Sequence, residues 1–337
     1  MTDNQHVIII AEAGVNHNGD IEMARRMVHE ARMAGADYVK FQTAVPELVI
    51  SQFAPKAEYQ KETTGEGESQ LEMCKAIHLP LSAYAGLKEL CDREGIGFMS
   101  TPFDLVSVDC LKAIGQDYWK IPSGEITNLP YLRKIGAYGD RIIMSTGMAT
   151  LDEVEAAVRV LEQAGTPRSR IILLHCTTQY PAPYSSVNLR AMDALATLGC
   201  AAVGYSDHTV GTDIAVAATA RGARVIEKHF TLDRTLPGPD HKASLEPDEL
   251  KALVEAVRRT EEALGSGVKV ADSAERPNIE VARKSIVAAR DIAAGEGLTE
   301  ENITVKRPGN GISPMEWDSV TGTRAIRGFA ADELIEI

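Results

Sequence analysis

Short apolar runs recur along the first 230 residues, and nearly every run is followed by a residue that could take part in chemistry. The eight runs cover residues 7–11, 38–39, 97–99, 118–119, 141–144, 171–174, 202–205 and 225–226. Amphipathic helical stretches separate most of them, a pattern typical of a parallel sheet with crossover helices. Eight such units predict an α/β fold, a closed TIM (β/α)8 barrel whose active site lies at the carboxyl ends of the strands. We therefore expect the polar residues after the runs to form the active site.

The same periodicity predicts the extent of the domains. Residues 20–34 and 247–264 carry apolar residues at helical spacing and are expected to be the first and last barrel helices. Because a TIM barrel needs roughly 250 residues, residues 1–267 are predicted to form the catalytic domain. Residues 268–283 are rich in small, polar and turn-forming residues and are expected to be a linker. Residues 284–337 predict short strands around turns, a β-rich domain that is marginal alone and is expected to pack on something else.

Charge and cysteine content narrow the class of protein. The formal net charge is -13, from 48 acidic and 35 basic residues, which disfavours binding to nucleic acid or to an acidic membrane. The 5 cysteines are widely spaced without a CxxC pair, as expected of reduced thiols in a cytoplasmic protein. The chain begins without a basic region or a long apolar stretch, so we expect neither a signal peptide nor a membrane span. The predicted location is the cytoplasm.

One predicted βα connection, residues 44–82, is unusually long and carries charged and turn-forming residues, notably in 61–70. Long loops on the catalytic face of a barrel are commonly lids or substrate walls. We expect such a role here, with an ordinary surface excursion as the alternative.

Two histidines follow the seventh and eighth predicted strands, which are neighbours in a closed barrel. They are His208 and His229. Two imidazoles in one barrel mouth form half of a divalent-metal site, which carboxylates, water or substrate oxygens can complete. The alternative is two separate histidines, each satisfied by its own hydrogen bond.

Cations and hydroxyls are predicted on the same face: Lys40, Lys120, Ser123, Ser145 and Ser206. An unpaired buried lysine shifts its pKa or destabilises the fold. An anionic ligand would remove that cost, and phosphate or carboxylate suits lysine charges combined with hydroxyl donors. The alternative is that the lysines pair with Glu12, Glu125 or Glu227.

Two further residues are candidates for chemistry or recognition. Glu12, the only carboxylate at the end of the first strand, could bind a hydroxyl or shuttle a proton, and it could also pair with Lys40. Arg307 lies in the segment 306–311, where proline and two glycines predict a tight loop that leaves the arginine exposed. It is either an ordinary solvated charge or a presented recognition residue.

Motifs spread along the chain resemble those of a known enzyme family. They are AEAGVNHNGD (11–20), VKFQT (39–43), STPFD (100–104), WKIPSGE (119–125), STGMAT (145–150), HCTTQYPAP (175–183), GYSDHT (204–209), EKHFT (227–231), PGPDH (237–241) and KRPGNGISPMEW (306–317). In this order they resemble the sialic acid (N-acetylneuraminate) synthases, bacterial enzymes that condense phosphoenolpyruvate with N-acetylmannosamine or a related sugar. The resemblance implies a TIM barrel joined to an antifreeze-like (SAF) domain. It also implies a homodimer in which each small domain caps the partner's barrel.

The resemblance implies a role for each matching residue. His208 and His229 would be the ligands of Mn²⁺ or Mg²⁺. The residues expected to hold phosphoenolpyruvate are Lys40, Thr101, Lys120, Ser123, Ser145, Thr178 and Ser206. Those expected to face the sugar are Gln42, Tyr180, Asp240 and Arg307. Glu12 would lie beside the reacting carbons, so that the catalytic set is Glu12, Lys40, Lys120, His208 and His229. Thr177 and Thr178 stand where some members have an asparagine, and threonine can still donate to a phosphate.

The reaction implied by the resemblance is an aldol-type condensation. The metal polarises the aldehyde of the open-chain sugar, the methylene carbon of phosphoenolpyruvate attacks it, water adds, and phosphate leaves by carbon–oxygen cleavage. Since the expected sugar-facing groups are polar, we expect N-acetylmannosamine as substrate and N-acetylneuraminate as product. The alternative is 2,4-diacetamido-2,4,6-trideoxymannose, which would give legionaminate.

Two other classes of protein compete with this interpretation. A Schiff-base aldolase would use a barrel lysine such as Lys120 and would resist chelators. An ice- or carbohydrate-binding module would use the C-terminal domain, but an ice-binding face needs a flat array of small residues. Residues 284–337 carry charges instead.

Overall fold

Eight parallel strands form the first of two structural units, Met1–Gly265, and the second unit is Ser266–Ile337. The computed structural model describes residues 6–56 and 69–337. The strands are β1 Ile8–Gly14, β2 Tyr38–Thr43, β3 Gly97–Pro102, β4 Trp119–Ile121, β5 Ile142–Ser145, β6 Ile171–Cys176, β7 Ala202–Asp207 and β8 Val225–His229. The order in the sheet is β3-β2-β1-β8-β7-β6-β5-β4, and β3 and β4 lie side by side. The strands thus form a nearly closed barrel, which confirms the predicted fold.

Every predicted run overlaps a strand, although three runs begin one residue before it, and each strand extends past its run at the carboxyl end. Strand β2 continues to Thr43 and β8 to His229, although both apolar runs end several residues earlier. Apart from Phe41, the extra residues of these two strands are polar, and in the barrel they meet polar residues of neighbouring strands. Apolar periodicity therefore underestimates strand length where the interior changes from apolar to polar.

Helices follow the strands as expected for (β/α) units. They are α1 Ile21–Ala34, α2 Pro46–Val49, α3 Gln70–Ile77, α4 Ala83–Glu94, α5 Leu105–Ile114, α6 Leu129–Gly136, α7 Leu151–Ala164, α8 Ala191–Ala196, α9 Asp213–Ala220 and α10 Pro247–Leu264. The carboxylate of Asp20 caps α1 by accepting hydrogen bonds from the backbone of Glu22 and Met23, as polar N-caps do. Helix α10 has the predicted bounds, and α1 begins one residue later than predicted because Asp20 is its N-cap. Within residues 6–56 and 69–337, none of the helices has the length and apolar composition of a membrane span.

The barrel interior has an apolar layer directly beneath its polar mouth. This layer consists of Ile10, Met99, Tyr118, Ile143, Leu174 and Val225. Each lies two residues before a residue that lines the cavity at the mouth, for example Ile10 before Glu12 and Val225 before Glu227. Because side chains alternate in direction along a strand, residues two apart point to the same side. The barrel core therefore ends one layer below the cavity.

The second unit has its own core and little regular structure. Strands β9 Ser285–Ala288 and β10 Ile303–Lys306 pair in antiparallel fashion, and the helices are α11 Arg276–Ala282 and α12 Trp317–Val320. The core consists of Ile286, Ala288, Ile292, Leu298, Ile303, Val320, Ala325, Phe329 and Ile335. This agrees with the predicted compact domain of short strands.

The segment predicted to be a linker differs from expectation, because it contains helix α11. Two hydrogen bonds tie the end of this helix to the loop after β10: Arg307 Nε donates to the Ala282 carbonyl at 3.1 Å, and the Gly309 amide donates to the Glu280 carbonyl at 2.7 Å. These bonds join residues far apart in sequence, so local periodicity could not reveal them.

Replacing Gly204 in β7 by alanine should destabilise the barrel. An added Cβ would lie 2.5 Å from the Val225 carbonyl oxygen and 2.6 Å from a methyl of Leu174, where a well-packed interior has no space. We expect the free energy of unfolding to fall by about 1–3 kcal/mol, measured by chemical denaturation. Gly86 in α4 is the matched control, since its Cβ would meet nothing within 4 Å. There alanine should raise stability by about 0.5–1 kcal/mol, and equal effects of the two substitutions would contradict this interpretation.

Candidate active site

The carboxyl ends of the barrel strands surround a cavity of about 430 Å³. It brings together every residue of the first unit that the sequence predicted for the site: Glu12, Lys40, Gln42, Thr101, Lys120, Ser123, Ser145, Thr178, Tyr180, Ser206, His208, His229 and Asp240. All eight strands, or the loops after them, contribute at least one residue. The individual roles assigned to these residues remain predictions.

Two lysines and two glutamates form a buried ion-pair network on the cavity floor. Lys40 Nζ lies 2.6 Å from Glu12 Oε2 and 3.5 Å from Glu227 Oε2, and Lys120 Nζ lies 3.3 Å from Glu227 Oε1. At most 5% of any of these side chains is exposed. The pairing alternative is therefore present in the structure through Glu12 and Glu227, whereas Glu125 accepts a hydrogen bond from Asn128 instead.

The network gives its two carboxylates opposite proton affinities. Burial raises the pKa of Glu12, the charge of Glu227 adds to that rise, and Lys40 offsets only part of it. Burial also disfavours ionisation of Glu227, but Lys120 and Lys40 outweigh it and lower the pKa of Glu227 to about 2. Glu227 is thus the permanent anion between the lysines. Glu12 is the carboxyl group better able to hold and release a proton.

Hydroxyl groups surround the two lysines. Lys40 Nζ donates to Thr101 Oγ1 at 3.1 Å, and Lys120 Nζ donates to Ser145 Oγ at 2.8 Å. Ser206 Oγ donates to Glu227 Oε1 at 2.8 Å. A hydroxyl that accepts from a lysine keeps its own proton free to donate, so this group can bind an anion through several donors at once.

The two histidine rings lie next to each other at the cavity, packed edge to face with ring centroids 5.5 Å apart. His208 Nδ1 donates to the Thr177 carbonyl at 2.6 Å, which directs Nε2 of the same ring toward Ser206 Oγ, 3.3 Å away. His229 Nδ1 is buried and has no hydrogen-bond partner in residues 6–56 and 69–337. The alternative interpretation required each histidine to have its own hydrogen bond, and His229 does not meet that requirement.

The chemistry of this pair fits a divalent cation. Burial lowers the pKa of His208 to about 4, and burial together with His208 lowers the pKa of His229. Both rings are therefore neutral at physiological pH, as metal-ligating imidazoles must be. Asp240 Oδ2 lies 3.8 Å from His229 Nδ1, but the described residues contain no ready group of three or more His, Cys, Asp or Glu ligands. A cation here would take its remaining ligands largely from water and substrate.

The remaining predicted residues lie beside the charged floor and the histidines. Gln42 Nε2 donates to Glu12 Oε1 at 2.9 Å. Gly14 permits this approach, because its backbone is left-handed (φ 53°) and a Cβ there would lie 3.2 Å from both Gln42 and Glu12. The Tyr180 ring packs on His208 at 4.2 Å and meets His229 edge-on at 5.5 Å. Burial and the charge of Glu12 raise the pKa of Asp240 to about 7.

The structure adds cavity residues that were not in the predicted site. Glu227 is the central one, and its position two residues before His229 on the same strand was a usable signal. An apolar wall, defined as Val15, Met73, Ile77 and Phe103, also lines the cavity. Two of its members belong to α3, so part of the long connection 44–82 is a cavity wall. Residues 57–68 of this connection lie outside the described residues.

Arg307 belongs to the second unit and is exposed. Apart from the bond of its Nε to the Ala282 carbonyl, its guanidinium is turned to solvent. This agrees with the expectation that its loop leaves it exposed, and its predicted part in sugar binding stays a prediction.

Comparisons with known proteins agree with the resemblance found in the sequence. The model of the NeuB family matches residues 27–269, and that of the SAF domain matches residues 283–336. N,N'-diacetyllegionaminic acid synthase of Campylobacter jejuni is 52% identical over 97% of this chain and 98% of its own. The synthase of the same name from Legionella pneumophila is 45% identical over 96% of this chain and 91% of its own. A crystal structure of N-acetylneuraminic acid (sialic acid) synthetase from Leptospira borgpetersenii, in complex with citrate, gives a TM-score of 0.71 at 37% identity, covering 82% of this chain and 91% of that chain.

Replacing Glu227 by glutamine should destabilise the protein strongly. Two buried lysines would lose their shared anion, and breaking a buried ion pair from one side typically lowers the free energy of unfolding by about 3–5 kcal/mol. Chemical denaturation of the full chain would measure it. The control is Glu125→Gln, which changes a carboxyl group that pairs with neither lysine and should cost about 0.5 kcal/mol or less. If the two variants are equally stable, Glu227 does not hold the lysines.

Proposed function

This chain belongs to the NeuB family, and we propose that it is a phosphoenolpyruvate-dependent synthase that makes N,N'-diacetyllegionaminate. The substrates would be phosphoenolpyruvate, water and 2,4-diacetamido-2,4,6-trideoxymannose, and the second product phosphate. The 52% identity to a synthase of that name, over nearly the full length of both chains, supports this choice of sugar most directly. The polarity of the expected sugar-facing residues favoured N-acetylmannosamine, but the identity to the sialic acid synthetase of Leptospira is lower, at 37%.

The charged floor supports binding of phosphoenolpyruvate. Lys40 and Lys120 would hold its phosphate and carboxylate, together with hydroxyl donors around them. Those donors are Thr101, Ser123, Ser145, Thr178 and Ser206. In the ligand-free protein Glu227 balances the lysines, so the anion would enter a site whose cations are already in place. Such preorganisation avoids reorganisation as charge develops in the reaction.

The histidine pair supports the presence of Mn²⁺ or Mg²⁺. His208 and His229 would hold the cation, and Asp240 lies beside His229. When bound, the cation would supply Lewis acidity to the aldehyde oxygen of the open-chain sugar.

The residues around the reacting carbons support a condensation with carbon–oxygen cleavage. The methylene carbon of phosphoenolpyruvate would form a bond to the aldehyde carbon, and the aldehyde oxygen would take a proton. Glu12 would supply this proton, since burial raises the pKa of its carboxyl group. Water then adds to the positively polarised carbon that carries the phosphate and gives up its proton to the Glu12 carboxylate. The bond from that carbon to the phosphate oxygen breaks last, and phosphate leaves with the electron pair. The new hydroxyl becomes the keto group of the product and gives its proton to the departing phosphate.

The apolar wall supports a sugar with fewer hydroxyls. The diacetamido sugar has a methyl where N-acetylmannosamine has a terminal hydroxymethyl, and each acetamido group ends in another methyl. Val15, Met73, Ile77 and Phe103 would bury these methyls. Gln42, Tyr180 and Asp240 would bind the polar atoms of the amides. Polar residues alone had suggested the more hydroxylated sugar, and the wall removes that preference.

Exposed apolar residues around the barrel mouth support a homodimer. Among the described residues of the first unit, nearly all large apolar side chains that are exposed follow the carboxyl ends of strands: Leu48, Val49, Phe53, Leu105, Val106, Leu129, Met148, Leu151, Tyr184 and Val210. Apolar surface collected at one face marks an interaction site. The SAF domain of a second copy would cover this face and bring its Arg307 to the sugar.

The unpaired cysteines fit a cytoplasmic location.

An assay of phosphate release from phosphoenolpyruvate with a panel of sugars tests the proposed function. We expect kcat/KM for the diacetamido sugar to exceed that for N-acetylmannosamine by at least about tenfold, because the apolar wall binds a methyl better than a hydroxymethyl. A reversed ratio would return the assignment to N-acetylneuraminate.

The same assay separates metal-assisted condensation from a Schiff-base aldolase. Chelation should abolish phosphate release with every sugar, and added Mn²⁺ should restore it. Activity that survives exhaustive chelation, together with borohydride trapping of substrate on Lys120, would establish the aldolase instead.

Mixed dimers test whether Arg307 acts on the partner's barrel. Arg307→Ala and His208→Ala homodimers should each be nearly inactive. A heterodimer of the two variants should regain about half the wild-type activity per dimer, because one barrel then has both its histidine and the partner's arginine. Arg324→Ala, which changes another exposed arginine of the second unit, is the control and should remain active. Heterodimers that form but stay inactive would show that the arginine does not act across the dimer.

A further inference from the structure

A second buried ion pair lies directly behind the histidine pair. Asp207 and Lys228 are 0% exposed, and Lys228 Nζ lies 2.9 Å from Asp207 Oδ2. The two residues stand opposite each other in the register of β7 and β8. Their neighbours Ser206 and Glu227 line the cavity, so by strand alternation Asp207 and Lys228 lie on the opposite face of the sheet. Substrate in the cavity does not reach them.

This pair joins the two strands at the residues immediately before the histidines. Asp207 precedes His208, and Lys228 precedes His229. Any sliding of β7 along β8 would therefore change the separation of the two imidazoles and stretch the ion pair. The pair fixes the relative position of the two predicted metal ligands.

Further hydrogen bonds connect the ion pair to Thr209, the residue after His208. Lys228 Nζ donates to the Thr209 carbonyl at 2.6 Å. Asp207 Oδ1 accepts from the Thr209 amide at 2.9 Å and from its hydroxyl at 2.8 Å. His208 is thus held from the residues on both sides of it, while its own carbonyl accepts a hydrogen bond from the Ala182 amide at 2.8 Å.

A contribution to stability alone does not account for this pair. Replacing a buried ion pair by well-packed apolar residues is often neutral or stabilising, and the surrounding face of the sheet is already apolar. Charged side chains form directional hydrogen bonds to specific backbone atoms, here those of Thr209, and apolar side chains cannot form such bonds. Such outer partners orient metal ligands, and their loss weakens metal binding by about 10- to 100-fold.

We propose that Asp207 and Lys228 form a brace that positions His208 and His229 for the divalent cation. The brace rests on the metal site of the proposed function, but not on which sugar is used. Lys228 and Asp207 are positioning residues, since neither touches the cation or the substrates.

The test is Mn²⁺ binding to the full chain without substrate, followed by electron paramagnetic resonance of the free ion. The double variant Asp207→Asn/Lys228→Met removes both charges without leaving one unpaired, and it keeps the volume of the two side chains. We expect it to retain the far-UV circular dichroism of the wild type and to bind Mn²⁺ about 10- to 100-fold more weakly. Its kcat should fall, while KM for phosphoenolpyruvate should stay unchanged because the charged floor is intact. A folded double variant that binds Mn²⁺ as tightly as the wild type overturns the brace.

Two further variants keep the result interpretable. Val257→Ala creates a buried cavity in α10, away from the active-site cavity, and should lower stability without changing Mn²⁺ affinity. A loss of Mn²⁺ affinity in this control would attribute the effect to general destabilisation and overturn the brace. If the double variant does not fold, Thr209→Val removes only the hydroxyl bond to Asp207, and unchanged Mn²⁺ affinity there would also overturn it.

The wild type and His208→Ala separate the brace from the proposed function. Mn²⁺ binding that depends on His208, combined with no phosphate release from any sugar, would refute the proposed function and leave the brace standing. A wild type that binds no Mn²⁺ would refute the metal site and the brace together.

Discussion

The ion-pair network of Glu12, Lys40, Lys120 and Glu227 is the constraint on which the rest of the barrel mouth depends. Four ionisable side chains at most 5% exposed can be buried together only if each faces an opposite charge. That requirement fixes the strand register, because Glu12 pairs with Lys40 across β1 and β2, and with His229 across β1 and β8. The same register places the histidines and hydroxyls around the floor. A slip of one residue would turn these charges toward the helices.

The network also gives its two glutamates different proton affinities. Because Lys120 and Lys40 lower the pKa of Glu227 to about 2, its negative charge persists at physiological pH. Glu12 meets only part of that positive charge and is more easily protonated. Two glutamates on one cavity floor therefore differ in proton affinity through their neighbours alone, which is how environment separates acids from permanent anions.

The sequence predicted the barrel and most of the site, because both depend on local order along the strands. Apolar runs marked all eight strands, and Lys40, Lys120, His208 and His229 each stand one to three residues after a run, where the barrel fold brings them together. The sequence could not decide whether the lysines pair with carboxylates of the protein or are left to bind an anionic ligand. That choice depends on distances between side chains remote in sequence. The apolar wall could not be predicted from the sequence either, because Met73 and Ile77 line the cavity only through the packing of α3. Without the wall, the polar candidates Gln42, Tyr180 and Asp240 favoured N-acetylmannosamine, whereas the sugar proposed above is the diacetamido one.

The apolar layer beneath the mouth separates the barrel core from the cavity. Ile10, Met99, Tyr118, Ile143, Leu174 and Val225 close the interior, and the cavity-lining residues begin two positions later on six of the strands. Helix α3, which carries Met73 and Ile77 of the apolar wall, lies in a connection outside the barrel strands, so substitutions there leave this closure and the ion-pair network in place. A barrel built this way can acquire a new substrate preference by changes in the connection between β2 and β3 while its core and the ion-pair network on its cavity floor are inherited unchanged. Divergence in substrate among relatives of similar fold is the evolutionary outcome that this layering makes accessible.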